Sequence, residues 1–204
     1  PYLGFLHAAG FAVLIVDSPE HGASHSGWGW ETRDVVTAAA AMLRRRGYTR
    51  PAALGVSEGA AAALLAQARG ANLEAIVADS SYANLGAIFR ANPTLADLNP
   101  AFLNTVMWEL GLMLGQQPDA ISPELAAGKI GNCALMVIQN RGDPVTPIAQ
   151  GQAIFARANL ANREIWVAPS DGHGDAIYEV PDEYRARVLA FLRKNLADAS
   201  AAPH

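Results

Sequence analysis

The chain has 204 residues, and its 15 Lys and Arg against 19 Asp and Glu give a formal net charge of −4 at pH 7. Hydrophobic residues make up 51% of the chain and charged residues 17%, which excludes intrinsic disorder, and this length supports one domain with a substantial core. The single Cys133 cannot form an internal disulfide, so a disulfide scaffold is excluded. The composition gives no reason to expect nucleic-acid binding, and no apolar stretch reaches the roughly 18 residues of a membrane-spanning helix.

Predicted strands alternate with predicted helices along most of the chain. The apolar run 11–16 follows Gly10 and ends at Asp17, which predicts a strand buried on both faces. Further strands are predicted over 52–56, 73–78, 135–139 and 164–168, and helices over 33–46, 58–69 and 182–196. This alternation predicts an α/β fold, with a mostly parallel sheet and helices on both of its faces.

The alternation breaks between residues 80 and 131, where prolines separate short helix-like pieces. We expect this stretch to be a small helical cap inserted over an α/β core that spans residues 1–196. The Ala-rich residues 197–204 are expected to form a disordered tail.

The pentapeptide Gly55-Val56-Ser57-Glu58-Gly59 fits the pattern G-x-S-x-G. It lies between a predicted strand and a predicted helix, where such a serine occupies a strained turn with its hydroxyl presented above the sheet. The pattern therefore predicts a nucleophilic serine. The alternative is a glycine-rich strand–helix turn with an incidental serine.

A serine nucleophile needs a base, and the base needs an orienting carboxylate. His173 follows the last predicted strand, and Asp143 follows the strand before it. As alternatives, His173 is a surface-loop histidine and Asp143 forms an Asp-Pro turn. The order Ser57, Asp143, His173, each just after a strand, matches the Ser…Asp…His order of one hydrolase architecture.

The chain resembles the α/β-hydrolase superfamily over about residues 5–196, in its esterase branch near dienelactone hydrolases and prolyl-oligopeptidase catalytic domains. Besides the G-x-S-x-G turn, residues 17–24 resemble the family's D-x-R-G-x-G-x-S loop, with Pro19 and Glu20 where Arg and Gly are usual. Residues 78–83 resemble the segment that leads into the cap. The resemblance implies that the nucleophile, acid and base are Ser57, Asp143 and His173, and that the backbone N–H of Glu58 stabilises the oxyanion.

The activity that the resemblance implies is hydrolysis of a small-molecule acyl ester, as in a carboxylesterase, with no cofactor or metal. Peptidase and thioesterase activity stay open within the same class. A catalytically silent hydrolase-fold protein that serves in binding or assembly is the alternative from another class. Asp79, after the strand predicted over 73–78, is the alternative triad acid.

Three tryptophans are candidates for lining a substrate pocket. Trp28 and Trp30 lie on the Gly-rich loop that follows the first predicted strand, and Trp108 lies in the inserted stretch. Plain packing explains these residues equally well.

The sequence begins at Pro1, within what the resemblance makes a helix over residues 2–9. The family places its first strands and its oxyanion loop before that helix. We therefore expect the chain to be the C-terminal part of a longer hydrolase, whose sheet is completed by an N-terminal fragment or a second chain. The absence of a signal segment favours the cytoplasm, and membrane attachment would require an anchor upstream of Pro1.

Overall fold

Four strands form one sheet in the computed structural model, which describes residues 2–17, 32–92, 95, 98–159 and 161–196. The elements in chain order are the helices α1 (Tyr2–Ala8) and α2 (Thr32–Arg45), strand β1 (Ala52–Val56), helix α3 (Glu58–Ala68), strand β2 (Ala75–Asp79), the helices α4 (Leu85–Ala91) and α5 (Pro100–Met113), a 3₁₀ turn (Pro118–Ala120), helix α6 (Pro123–Ala127), strand β3 (Ala134–Asn140), helix α7 (Ile148–Arg157), strand β4 (Arg163–Ala168), and the helices α8 (Ala176–Glu179) and α9 (Pro181–Asn195).

The sheet runs in the order β1-β2-β3-β4, and each strand is parallel to its neighbour. Val56 at the end of β1 pairs with Asp79, and Asp79 pairs with Ile138 of β3. The carboxyl ends of all four strands therefore lie at one edge of the sheet. In parallel sheets this edge is where ligands bind.

Helices cover both faces of the sheet, as predicted. On β2, Ile76 and Ala78 face a core that includes α2, α3, α6 and α7, whereas Ala75 and Val77 face a core built from α1, α8 and α9. Helix α9 packs into the second core through Tyr184, Val188, Phe191 and Leu192. The α/β prediction is thus confirmed, with strand and helix ends displaced by one or two residues.

The strand predicted over residues 11–16 is wrong. Residues 11–17 have no regular secondary structure, although Phe11 and Val13 pack against the core beside α1. Ile15 is 66% exposed and Val16 40% exposed, so the run is not buried on both faces. An apolar run indicates a tendency toward burial, whereas a strand also needs a neighbour to complete its hydrogen-bond ladder.

The stretch between β2 and β3 contains α4, α5, the 3₁₀ turn and α6. A small cluster formed by Ala61, Tyr82 and Ile121 joins the start of this stretch to α3. None of the helices formed by the described residues has both the length and the apolarity needed to cross a membrane. The tail predicted over 197–204 lies outside the described residues.

Candidate active site

Ser57 occupies a strained turn between β1 and α3. Its φ of 52° and ψ of −115° lie in a region that residues with a side chain rarely adopt. A side chain on Gly55 would overlap the backbone of Gly59, so the strand and the helix approach each other closely here. The Ser57 N–H donates a 2.8 Å hydrogen bond to the carbonyl of Asp79, which ties the turn to the end of β2. The pentapeptide therefore forms a strained backbone turn between a strand and a helix.

Asp143 and His173 form a direct pair. His173 Nδ1 lies 2.8 Å from Asp143 Oδ2, with the aspartate side chain fully buried and that of the histidine 24% exposed. An ionised carboxylate at this distance favours the tautomer that carries its proton on Nδ1. The other ring nitrogen, Nε2, is then an unprotonated acceptor, as a general base requires.

The second oxygen of Asp143 shapes its own loop. Oδ1 accepts hydrogen bonds of 2.8 Å from the backbone N–H groups of Val145 and Thr146. This is an Asx turn of the kind that Asp-Pro sequences favour. The two interpretations of Asp143 are therefore compatible, since one oxygen forms the turn and the other holds His173.

The contact between Asp143 and His173 shifts their pKa values in opposite directions. Burial raises the pKa of the Asp143 carboxyl, but the hydrogen bonds from His173, Thr146 and Val145 outweigh it and lower the pKa overall. The hydrogen bond to Asp143 raises the pKa of His173, against the opposing effect of burial. Asp143 is therefore held as a carboxylate that stabilises a protonated imidazole.

The loop that carries His173 reaches the Ser57 turn through neighbouring residues. Gly174 lies against Val56, the residue before Ser57, and a Cβ on Gly174 would come within 2.7 Å of Val56 Cγ1. Asn140, at the end of β3, donates a 2.6 Å hydrogen bond to the carbonyl of Gly172 and so fixes the other side of the loop. The segments of Ser57, Asp143 and His173 thus meet at one edge of the sheet.

Asp79 has different partners from those of a triad acid. Its Oδ1 accepts a 2.9 Å hydrogen bond from the Ser80 hydroxyl, and its Oδ2 accepts one of 2.9 Å from the Tyr184 hydroxyl of α9. Burial is the largest cause of the rise in the pKa of Asp79 to about 6, which these two hydrogen bonds oppose. His173 Nδ1 donates to Asp143 Oδ2, so Asp143, and not Asp79, is the carboxylate in contact with this histidine.

Two polar residues near this pair were not singled out from the sequence. Thr146 Oγ1 lies 2.8 Å from Asp143 Oδ2, and Gln139 Nε2 lies 3.1 Å from Thr146 Oγ1 and also donates to the Thr146 carbonyl. A signal for Thr146 was available, since a hydroxyl residue three positions after an Asx-turn aspartate lies within reach of the same carboxylate. For Gln139 the signal is weaker: a polar residue that ends an otherwise apolar strand.

The structure places the remaining predicted site residues less clearly at the site than Ser57, Asp143 and His173. Glu58 is the first residue of α3, and its side chain is exposed. Trp108 on α5 is 56% exposed and so does not line an enclosed cavity, while Trp28 and Trp30 lie outside the described residues. A pocket lined by these tryptophans stays a prediction. Within the described ranges, no group of three or more His, Cys, Asp or Glu side chains is arranged to hold a metal ion.

Comparison of the sequence with protein families and with curated proteins finds no match. Solved structures do match. The Pyrococcus furiosus esterase Pf2001 is 23% identical with a TM-score of 0.73, and the match covers 95% of this chain and 74% of the esterase. A Paleococcus ferrophilus monoacylglycerol lipase is 17% identical with a TM-score of 0.68, over 95% of this chain and 89% of the lipase. The enol-lactonase of Burkholderia xenovorans is 15% identical with a TM-score of 0.58, over 86% and 78% of the two chains.

Proposed function

Because the chain has the α/β-hydrolase fold, we propose that it is a serine hydrolase that cleaves carboxylic esters through an acyl-enzyme. The observation that carries the proposal is the 2.8 Å contact between His173 Nδ1 and Asp143 Oδ2 at the sheet edge that also holds the strained Ser57 turn. The names of the matched structures support the same class, since they include an esterase, a monoacylglycerol lipase and an enol-lactonase.

In the proposed reaction, Ser57 Oγ attacks the acyl carbon of the ester while His173 Nε2 takes its proton. The tetrahedral intermediate collapses when His173 returns that proton to the leaving alcohol, and the acyl group stays on Ser57. Water then attacks the acyl-enzyme by the same steps and releases the acid. Asp143 keeps its negative charge throughout and stabilises the imidazolium.

The oxyanion of the intermediate needs hydrogen-bond donors placed in advance. The proposed donor within the described chain is the backbone N–H of Glu58. As the residue after the nucleophile and the first of α3, it lies at the positive end of the helix dipole.

The proposal is tested with a fluorophosphonate probe, which forms a covalent bond with an activated serine. We expect the purified chain to be labelled, and we expect Ser57→Ala to abolish labelling and the hydrolysis of p-nitrophenyl acetate. A matched control is Ser122→Ala, which removes a serine hydroxyl that caps α6 and bonds to Leu125 and Ala83, and which should leave labelling intact. A folded chain that takes up no probe would contradict the proposal and favour the catalytically silent binding or assembly module.

A further inference from the structure

We propose that Thr146 is a positioning residue, whose hydroxyl donates its proton to Asp143 Oδ2 and so holds that carboxylate in line with His173. The proposal rests on the proposed serine-hydrolase function and deepens it. Nothing in the G-x-S-x-G turn or in the order of Ser57, Asp143 and His173 requires this hydroxyl.

The hydroxyl of Thr146 lies at the centre of a buried network. It is 2.8 Å from Asp143 Oδ2, 3.1 Å from the Ser80 carbonyl oxygen and 3.4 Å from His173 Nδ1. Gln139 Nε2 lies 3.1 Å away and donates to it. Thr146 is only 1% exposed, so water does not compete for these contacts.

A hydroxyl has one proton, and here it faces two acceptors. The carboxylate of Asp143 is charged and closer, whereas the Ser80 carbonyl is neutral, so the proton goes to Asp143 Oδ2. Oδ2 then receives three donors, which are the Nδ1–H of His173, the hydroxyl of Thr146 and, at 3.5 Å, Nε2 of Gln139. Thr146 thereby withdraws part of the negative charge that faces the imidazole.

The position of the hydroxyl is fixed from several sides. The backbone N–H of Thr146 donates to Asp143 Oδ1, so the residue contacts both oxygens of the carboxylate. Ser80 has a φ of 52°, and its N–H donates a 2.9 Å hydrogen bond to the carbonyl of Ile138, which holds the Ser80 carbonyl against Thr146. Gln139 adds contacts from the end of β3. These restraints are what a positioning residue needs.

Removing the hydroxyl has a defined electrostatic consequence. Asp143 Oδ2 would lose a donor and present more negative charge to His173, so the pKa of His173 should rise further. The other described acidic groups that act on His173 are Asp79 from β2 and Asp175 from its own loop, and the substitution leaves both in place. A merely structural role for Thr146 predicts no such change in the titration of one histidine.

The experiment is an NMR titration of His173, which does not depend on activity. The signal is identified among the 5 histidines by its loss in His173→Asn. We expect Thr146→Val to raise the pKa of His173 by about half a pH unit or more, and Thr146→Ser to leave it within about 0.2 of the original. The rate of fluorophosphonate labelling should fall about tenfold in the valine variant and recover in the serine variant. Thr37→Val, at an exposed threonine of α2, is the matched control and should change neither value.

Each result of the titration supports or overturns the positioning role of Thr146. An unchanged or lowered pKa in folded Thr146→Val overturns the proposal, and so does an equal rise in Thr146→Ser, because the hydroxyl would then not be the cause. If the valine variant does not fold, Thr146→Cys replaces it. Its thiol is a weak donor, so the pKa should again rise, and no rise would overturn the proposal. A raised pKa in a protein whose native form is never labelled would support the role of Thr146 in holding the pair and would refute the hydrolase function.

Discussion

Gly174 packs directly against Val56, so the residue after His173 contacts the residue before Ser57. The strands that precede these residues, β4 and β1, lie at opposite edges of the described four-stranded sheet. Adjacent strands lie about 4.8 Å apart, so the His173 loop crosses roughly 14 Å over the strand ends to reach β1. The close contact at Gly174 is where this crossing ends, and it makes the position intolerant of a side chain.

Gly174→Ala should therefore impair both stability and activity. Its φ of +72° disfavours a side chain, and the added Cβ would lie 2.7 Å from Val56 Cγ1. The two effects together should lower the free energy of unfolding by roughly 2–4 kcal/mol. Urea denaturation gives this loss, and the rate of fluorophosphonate labelling should fall as the His173 loop shifts.

A substitution at a second glycine, Gly131, separates the cost of the positive φ from the cost of the contact with Val56. Gly131 has a φ of +63° with open space around its Cβ position, so Gly131→Ala should cost only about 1–2 kcal/mol. Its labelling rate should stay unchanged. Equal losses of stability in the two variants would mean that the contact with Val56 is unimportant.

Asp143→Asn should reduce hydrolysis of p-nitrophenyl acetate strongly. An amide cannot stabilise the imidazolium and favours the wrong tautomer of His173, which in a comparable triad costs about 10⁴-fold. Asp79→Asn should retain activity within about tenfold, because Asp79 bonds to Ser80 and Tyr184 instead of His173. Comparison of the two turnover numbers at pH 8 checks this prediction, and the reverse ranking would move the triad acid to Asp79.

The buried Asp79 should make the folded state less stable as pH rises. Its pKa is raised from 3.8 to about 6, so the folded state binds this proton more tightly than the unfolded chain does. The contribution of protonated Asp79 to the stability of the folded state is complete below pH 3.8 and is lost as pH rises through 6. Between pH 5 and pH 8 the loss should be roughly 1–2 kcal/mol.

The contribution of Asp79 is isolated by measuring urea unfolding of the wild-type chain and of Asp79→Asn at both pH values. His173 and other groups titrate in both proteins, so their effects cancel in the difference. The variant should gain stability relative to the wild-type chain as pH rises. A difference that stays constant from pH 5 to pH 8 would show that Asp79 does not titrate in this range.

Tyr184→Phe should be destabilising, and more so at pH 8 than at pH 5. The Tyr184 hydroxyl donates a 2.9 Å hydrogen bond to Asp79 Oδ2, which is mostly charged at pH 8 and mostly neutral at pH 5. We expect a loss of about 1.5–3 kcal/mol at the higher pH and about 1 kcal/mol at the lower one, measured by urea unfolding. Tyr178→Phe is the matched control, because Tyr178 is 63% exposed and its hydroxyl should contribute little.

The sequence predicts the sheet and the place of the site because both depend on local patterns. The runs that became β1 to β4 are short and apolar, and Ser57, Asp143 and His173 each follow one of them. Since parallel strands end at one edge, chain order alone brings these residues to the same side. The run 11–16 has the same composition, but its apolar residues pack without joining a strand ladder.

The hydrogen bonds made by Asp79 and Thr146 could not be predicted from local sequence patterns. Tyr184 and Asp79 are 105 positions apart, and only the packing of α9 against β2 brings them together. Thr146 is close to Asp143 in sequence, but its approach to the Ser80 carbonyl depends on the register between β2 and β3. Register and helix packing involve residues distant in the chain, which a motif does not contain.

Strand β2 supplies no member of the proposed triad, yet the carbonyl of its last residue and the next carbonyl along the chain contact both halves of the site. The carbonyl of Asp79 accepts from the Ser57 turn, and the next carbonyl, that of Ser80, lies against Thr146 in the acid loop. The Ser57 turn and the acid loop are thus held by the carbonyls of two consecutive residues, Asp79 and Ser80. An insertion of one residue between Asp79 and Ser80 would change the spacing of these two carbonyls and so displace the Ser57 turn relative to the acid loop.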